Sequence, residues 1–301
     1  RAVRETRHRE QGQKRDAETR QLSDADHWLE LRHTQARGTS RLWRRTWMPA
    51  GETRAAIVLV HGLGEHSGRY DYLASHCTGR GFAVFALDHY GHGKSDGQPG
   101  HVERFSVYLD GIRALLGQVR AEQPGVPLFL VGHSMGGLIA AALLPEEQAH
   151  FRACVLSGPA FASDAEPPAL VMRITRLIAW LAPTVPMIGL DPAGVSRDPQ
   201  VVRAYVRDPL VHHGKLTARL IVELKAAMQT TLARAPEVSL PLLIMHGEDD
   251  VLTSPDGSRE FYARAGSDDK TLTVLPSVLT ELTAIPVTDW PVVRLVSENA
   301  S

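Results

Sequence analysis

The chain reads as an α/β protein built on one mainly parallel sheet, with a helical insertion late in the fold. Three observations point there. Continuous apolar runs of five to seven residues recur along the chain: AAIVLV (55–60), FAVFAL (82–87), PLFLVG (127–132), ACVLSG (153–158), PLLIMHG (241–247) and TLTVL (271–275). Unbroken apolar runs suit strands covered on both faces, and helical patterns between them imply right-handed parallel crossovers. The rhythm then breaks for about 80 residues, 159–238, where prolines recur and no strand signal is visible.

Taken in order, residues 1–27 are charged and poor in apolar positions, which predicts a solvated arm. WLELRHTQ and SRLWRRTW flank Gly38 and read as a hairpin of two alternating strands. Phe105, Tyr108, Leu109, Ile112, Leu115, Leu116 and Val119 recur at helical spacing and end at Pro124-Gly125. In the insertion, Leu170, Val171, Ile174, Leu177, Ile178 and Leu181 mark one helix, with Arg173 and Arg176 off the stripe, and a second covers roughly 216–234. The expected organisation is a core of 28–158 and 239–301 with a cap of 159–238. An insertion at a strand's C-terminal end sits over the place where open α/β sheets bind ligands.

Composition sets the outer limits. The 301 residues are 43% hydrophobic and 22% charged, with 33 basic and 34 acidic side chains and a net charge of −1. A balance so near zero argues against a general nucleic-acid role. Cys77 and Cys154 are too few for a disulfide scaffold or a metal cluster, and no dinucleotide fingerprint occurs, so neither a metal nor an organic cofactor is expected. No window approaches a membrane span, and the first residues lack the apolar region of a secretory signal. A cytoplasmic location is expected on these grounds.

Gly132-His133-Ser134-Met135-Gly136 matches G-x-S-x-G, with an apolar strand before it and the helix-compatible GLIAAALL after it. A serine on so sharp a strand-to-helix turn needs small neighbours, and the following helix brings N–H groups beside a developing oxyanion. His61-Gly62-Leu63-Gly64 follows the strand 55–60. Alone it is a strand-ending turn; paired with GHSMG it suits an oxyanion loop, with Leu63 and Met135 as backbone donors. An acid should follow the nucleophile in chain order. Asp250 closes HGEDD directly after the strand 241–245, and Asp249 and Glu248 compete with it.

HGLGEHSGRY (61–70), ALDHYGHGKSDG (86–97), GHSMGG (132–137) and LLIMHGEDDVLTSPDGSREFY (242–262) together resemble the monoacylglycerol lipase family, a lysophospholipase-like branch of the serine α/β-hydrolases. The resemblance covers about 28–275. It implies the α/β-hydrolase fold: an eight-stranded core with helices on both faces and a helical cap over an acyl tunnel. It implies hydrolysis of a small lipid ester to glycerol and a fatty acid through an acyl-serine. Ser134 matches the nucleophile, Asp250 the acid, and Leu63 and Met135 the oxyanion donors. The cap helix 168–182, with Leu170, Ile174 and Ile178, would touch lipid and could bring the chain to a membrane surface; packing against the core is the competing reading of its apolar residues. Glu65 and His66 either bind the glycerol end or order their loop.

One position departs from the family. Its histidine should follow the last core strand, in a segment resembling YPGxYHELxNEP. Here residues 275–286 read LPSVLTELTAIP, and Thr280 stands at the histidine's place. All 14 histidines lie at or before His246. Threonine does not titrate near neutral pH and cannot shuttle the serine proton. The expectation is an ester hydrolase with impaired turnover. A non-catalytic lipid-binding protein, or a related esterase or lysophospholipase, are the alternatives.

Overall fold

A computed structural model of the chain describes residues 26–32, 39–163, 167–189 and 191–276. The strands are β1 (His27–Arg32), β2 (Thr39–Trp47), β3 (Ala55–Val60), β4 (Phe82–Leu87), β5 (Leu128–His133), β6 (Ala153–Ser157), β7 (Pro186–Gly189), β8 (Lys215–Thr217), β9 (Leu242–Gly247) and β10 (Lys270–Leu275). The helices are α1 (Asp71–Thr78), α2 (Ser106–Glu122), α3 (Met135–Glu147), α4 (Ala169–Leu181), α5 (Pro199–Arg207), α6 (Ala218–Arg234) and α7 (Pro255–Arg264). Eight strands form one sheet in the order β1-β2-β4-β3-β5-β6-β9-β10. The β1–β2 and β2–β4 pairings are antiparallel and all the others are parallel. This is the α/β-hydrolase fold that the resemblance implies, and its mainly parallel sheet is the one that the apolar runs predict.

The apolar runs are continuous because each strand feeds two cores. On β3, Ala56, Val58 and Val60 enter the core beneath α2, α3 and α6, while Ala55, Ile57 and Leu59 enter the one beneath α1. Phe85 and Leu87 against Phe82 and Val84 divide β4 the same way, and Leu130 against Phe129 and Val131 divides β5. The period-2 alternation thus survives in side-chain direction although both faces are apolar.

The insertion between β6 and β9 holds a third helix, α5, and a strand pair, neither of which was expected from the sequence. Besides α4, α5 and α6 it contains β7 and β8, which pair antiparallel as a separate ribbon. Pro186 and Gly189 in PMIG, and only three residues in β8, hide both from a pattern search. The predicted helices 168–182 and 216–234 correspond to α4 and α6. The N-terminal arm lies outside the described residues up to 25, and β1 begins at His27.

Phe129 on central strand β5 is fully buried. Phe129→Ala is expected to cost about 3–5 kcal/mol. Urea unfolding of the two proteins checks this; a loss below about 1 kcal/mol would contradict the packing described.

Candidate active site

Ser134 joins β5 to α3 with φ 52° and ψ −119°, and among the described residues it alone combines a side chain with positive φ. Three backbone hydrogen bonds hold it there: its N–H donates to Ser157 O at 2.9 Å, and its carbonyl accepts from Leu138 N at 3.1 Å and Ala160 N at 3.0 Å. The glycines of the motif have a steric reason. A Cβ on Gly132 would stand 2.5 Å from Gly136 O, and one on Gly136 would collide with Val60 O. Serine at an N-cap ordinarily accepts from the first turn of its helix, but Ser134 makes no such bond. Its hydroxyl is left to face the cavity.

Gly62 approaches Ser134 closely, since a Cβ there would lie 3.2 Å from the serine Cβ. The loop 61–70 is wound around Glu65. Glu65 Oε1 accepts from Gly62 N at 2.5 Å and Tyr70 OH at 2.7 Å, and Oε2 accepts from Arg69 Nε at 3.2 Å. Burial alone would raise this carboxyl, but His133, Arg69 and these donors bring it below its ordinary value. Leu63, Met135 and Glu65 line the cavity beside Ser134.

His66 serves the loop and the cap. Its Nδ1 accepts from Gly68 N at 3.2 Å, and its Nε2–H donates to Asp208 Oδ2 at 2.9 Å. Burial would raise Asp208, but the His66 bond and the Leu210 N–H lower it overall. Two further ties join the same segments: His212 N donates to Gly64 O at 2.7 Å, and the Arg69 guanidinium lies 4.9 Å from the Tyr205 ring centre.

Of the three competing acids, Asp249 pairs with Arg197 in solvent and Glu248 is exposed, whereas Asp250 is 3% exposed. Asp250 Oδ1 accepts from Leu252 N and Thr253 N, both at 2.9 Å, and Oδ2 accepts from Thr253 Oγ1 at 2.8 Å. His246, fully buried, sits behind it with Nε2 at 3.5 Å from Oδ2 and Nδ1 at 2.7 Å from Ser258 Oγ.

No histidine nitrogen among the described residues hydrogen-bonds Ser134 Oγ. His133 Nδ1 lies 3.1 Å from Ser157 O. His61 Nδ1–H donates to Gly62 O at 2.8 Å, while His61 Nε2 accepts from His89 N at 3.0 Å. His213 meets the Tyr205 ring edge-on. Thr280 and the segment aligned with the family's histidine lie outside the described residues.

The cavity above Ser134 holds about 240 Å³. Its wall is mostly apolar: Ala160, Ala162, Met172, Ile188, Val195, Leu216, Ile221, Leu224, Met228 and Leu252. Arg69, Tyr205, Lys225 and Thr253 add polar groups. The cap helix contributes Met172 rather than Leu170, Ile174 or Ile178. Leu170 and Ile174 face solvent and Ile178 is half-buried, so most of the expected stripe lies on the outer side of α4 and none of the three lines the cavity. Met172, Arg69, Tyr205 and Thr253 were not singled out from sequence; Arg69 lay inside HGLGEHSGRY and Thr253 inside LLIMHGEDDVLTSPDGSREFY, and the other two carried no local signal. Among the described residues, no group of three or more His, Cys, Asp or Glu could hold a metal ion.

The His61, His89 and His92 rings meet at tilted and edge-on angles, with His61 and His89 ring centres 4.1 Å apart. Burial, first of all, holds all three below the ordinary imidazole range. The unfolded chain binds protons near pH 6.5 that the folded chain refuses. Their contribution to stability is therefore complete above about pH 6.5 and falls as pH drops, by up to about 1.4 kcal/mol per pH unit for each imidazole. Urea midpoints at pH 7.5 and 5.5 are expected to show the lower stability at 5.5; equal midpoints would contradict it.

A hydrolase family model described as "Serine aminopeptidase, S33" matches residues 51–283. The chain is 39% identical over 267 residues to a monoacylglycerol lipase of Mycolicibacterium smegmatis, covering 86% of this chain and 95% of that one. It is 33% identical over 235 residues to the human monoglyceride lipase, covering 77% of each. The crystal structure of Paleococcus ferrophilus monoacylglycerol lipase superposes with a TM-score of 0.76 at 31% identity, covering 86% of this chain and 98% of that one. With the strained serine, the glycine-rich loop and the capped cavity already described, these likenesses mean that the chain belongs to the monoacylglycerol lipase family of hydrolases.

Proposed function

We propose that the cavity receives a monoacylglycerol-type ester and that Ser134 is the acyl acceptor. The observation that carries this is the serine hydroxyl on a strained turn, uncapped and facing an apolar cavity. In the proposed reaction Ser134 Oγ bonds to the ester carbonyl carbon, and the carbonyl oxygen becomes an oxyanion beside the Leu63 and Met135 N–H groups. The bond to the alcohol oxygen breaks, and glycerol leaves with the serine proton. Water then attacks the acyl-serine and releases the fatty acid. Asp250 is positioned by its own loop to orient a base. The α3 N-terminus favours the negative charge on the oxyanion.

The base is what this chain lacks. Thr280 at the aligned position has no proton-transfer chemistry near neutral pH, so turnover by Ser134 is slow and rests on the oxyanion site and binding alone. Non-catalytic lipid binding is the second reading, and Thr280 favours it. Hydrolysis of a short acyl ester and of a monoacylglycerol by the chain, by Thr280→His and by Ser134→Ala separates the two. Thr280→His is expected to raise kcat by about 10²–10⁴. Ser134→Ala in that background should remove the gain. High turnover by the unaltered chain would defeat the account of the missing base. A folded but silent Thr280→His would favour the binding reading.

The outer face of α4 suits contact with a lipid surface. Leu170 is 67% exposed and Trp180 74%, and Val171, Ile174, Leu177 and Leu181 are exposed with them. Arg173 and Arg176 flank the apolar stripe, the arrangement of an interfacial helix. Among the described residues no helix is long and apolar enough to cross a membrane, so the contact proposed is peripheral. Burying one such side chain contributes about 1.5–3 kcal/mol. The double change Leu177→Asp and Trp180→Asp should weaken partition onto phosphatidylcholine vesicles at least about tenfold, and unchanged sedimentation with vesicles would refute the contact.

A further inference from the structure

A second cavity, of about 250 Å³, lies on the far side of α6 from the first. Ile221, Leu224 and Met228 line the cavity above Ser134, whereas Glu223, Ala226, Ala227 and Thr230 line the other, so one helix walls both. The second cavity opens where α6 meets α3 and the start of α2. Its apolar wall is Phe105, Leu109, Ala141, Ala142, Ala226 and Ala227, and the four alanines leave the space between α3 and α6. Pro145 stands in the same wall, inside α3. Proline has no N–H, so the Ala141 carbonyl, four residues back, loses its helical donor at the cavity wall. Thr231, 4% exposed, adds a hydroxyl to the lining.

The charged groups of this lining are already paired. Glu146 Oε1 accepts from Arg234 Nη1 at 2.9 Å, and its Oε2 accepts from Arg113. Arg234 also donates to Glu237, from Nε at 3.0 Å and from Nη2 at 2.8 Å. Glu223 Oε2 accepts from Phe105 N at 2.9 Å, and its Oε1 lies 3.8 Å from Arg219 Nη1. A ligand carboxylate would have to break one of these pairs, and it would meet Glu146, Glu223 and a carbonyl oxygen, all of negative sign. A plain hydrocarbon would take the carbonyl out of water and give it no donor. An alcohol meets both demands: its chain covers the alanine wall, and its O–H donates to the Ala141 carbonyl.

We propose that this second cavity is a binding site for small uncharged amphiphiles that carry a hydroxyl, with the Ala141 carbonyl as its acceptor. The site is separate from Ser134 and does not depend on the reading of that residue. Protein carrying methyl-labelled alanine is titrated with n-hexanol and with hexanoate and followed by NMR. The Ala141, Ala142, Ala226 and Ala227 methyl groups report on the second cavity, and those of Ala160 and Ala162 on the cavity above Ser134. n-Hexanol should shift the first four signals saturably, and hexanoate should bind there at least about tenfold more weakly. Pro145→Ala returns an N–H to the Ala141 carbonyl without opening or filling α3, and it should weaken n-hexanol by about two- to tenfold. Ala142→Leu fills the cavity and should remove the shifts. Shifts confined to Ala160 and Ala162, equal binding of hexanoate, an affinity unchanged by Pro145→Ala, or shifts that survive Ala142→Leu would each overturn the proposal.

Discussion

The close approach of three backbone segments around Gly132 and Gly136 governs the rest of the site. The carbonyl of Val60, at the end of β3, lies where a side chain on Gly136 would have to stand. That contact brings the end of β3, the start of α3 and the loop after His61 into one small volume. Ser134 then has no relaxed backbone available and takes φ 52°. Strain of this kind costs on the order of 1–3 kcal/mol and persists only where the surroundings over-determine it. Here the surroundings are the Ser157, Leu138 and Ala160 hydrogen bonds and a core buried on both sides of β5. The parallel sheet is the rigid body that makes the strained turn affordable.

The loop opposite the serine is held in a different way. Glu65 gathers Gly62 N, Tyr70 OH and Arg69 Nε around one buried carboxylate, so the backbone next to the serine is set by a charge rather than by packing. The same loop is tied to the cap through His66–Asp208, Gly64–His212 and Arg69–Tyr205. Motion of the α5-to-β8 segment of the cap therefore acts first on the loop and only through it on the space beside Ser134. Glu65 and His66, adjacent in sequence, divide this work: one organises the loop from inside, the other fastens it to the cap.

What was legible in the sequence follows from the range of the forces involved. The core strands announced themselves because burial on both faces writes an unbroken apolar run, and Ser134 because its turn demands glycine at fixed offsets. The cap ribbon left no such trace, since PMIG and KLT are too short to show an alternation and PMIG holds both a proline and a glycine. Helix α5 did leave one: Asp198 before Pro199 is an N-cap followed by proline at the first turn, and Asp198 Oδ1 accepts from Gln200 N. The orientation of α4 was illegible for a physical reason. An amphipathic stripe shows that a helix has two unlike faces, but not which one meets the protein. Thr175 and Ala179, small residues, face inward with Met172 at the cavity, while Leu170, Ile174, Leu177 and Leu181 face out.

The turn that carries Asp250 supplies several of the donors to its carboxylate from its own residues. Asp250 is held by Leu252 N, Thr253 N and Thr253 Oγ1, all from its own turn, and that hydroxyl also lies within reach of Gly158 O and His246 Nε2. These three donors, all within four residues of Asp250, offset part of the cost of burying its carboxylate. The serine turn is fixed by glycine contacts and β6. On the reading proposed above, the proton-transfer residue is a part of the constellation that stands apart from both turns. On the reading proposed for Thr280, the strained serine, the buried Asp250 and the cavity stand without a base, and chemistry separates from fold.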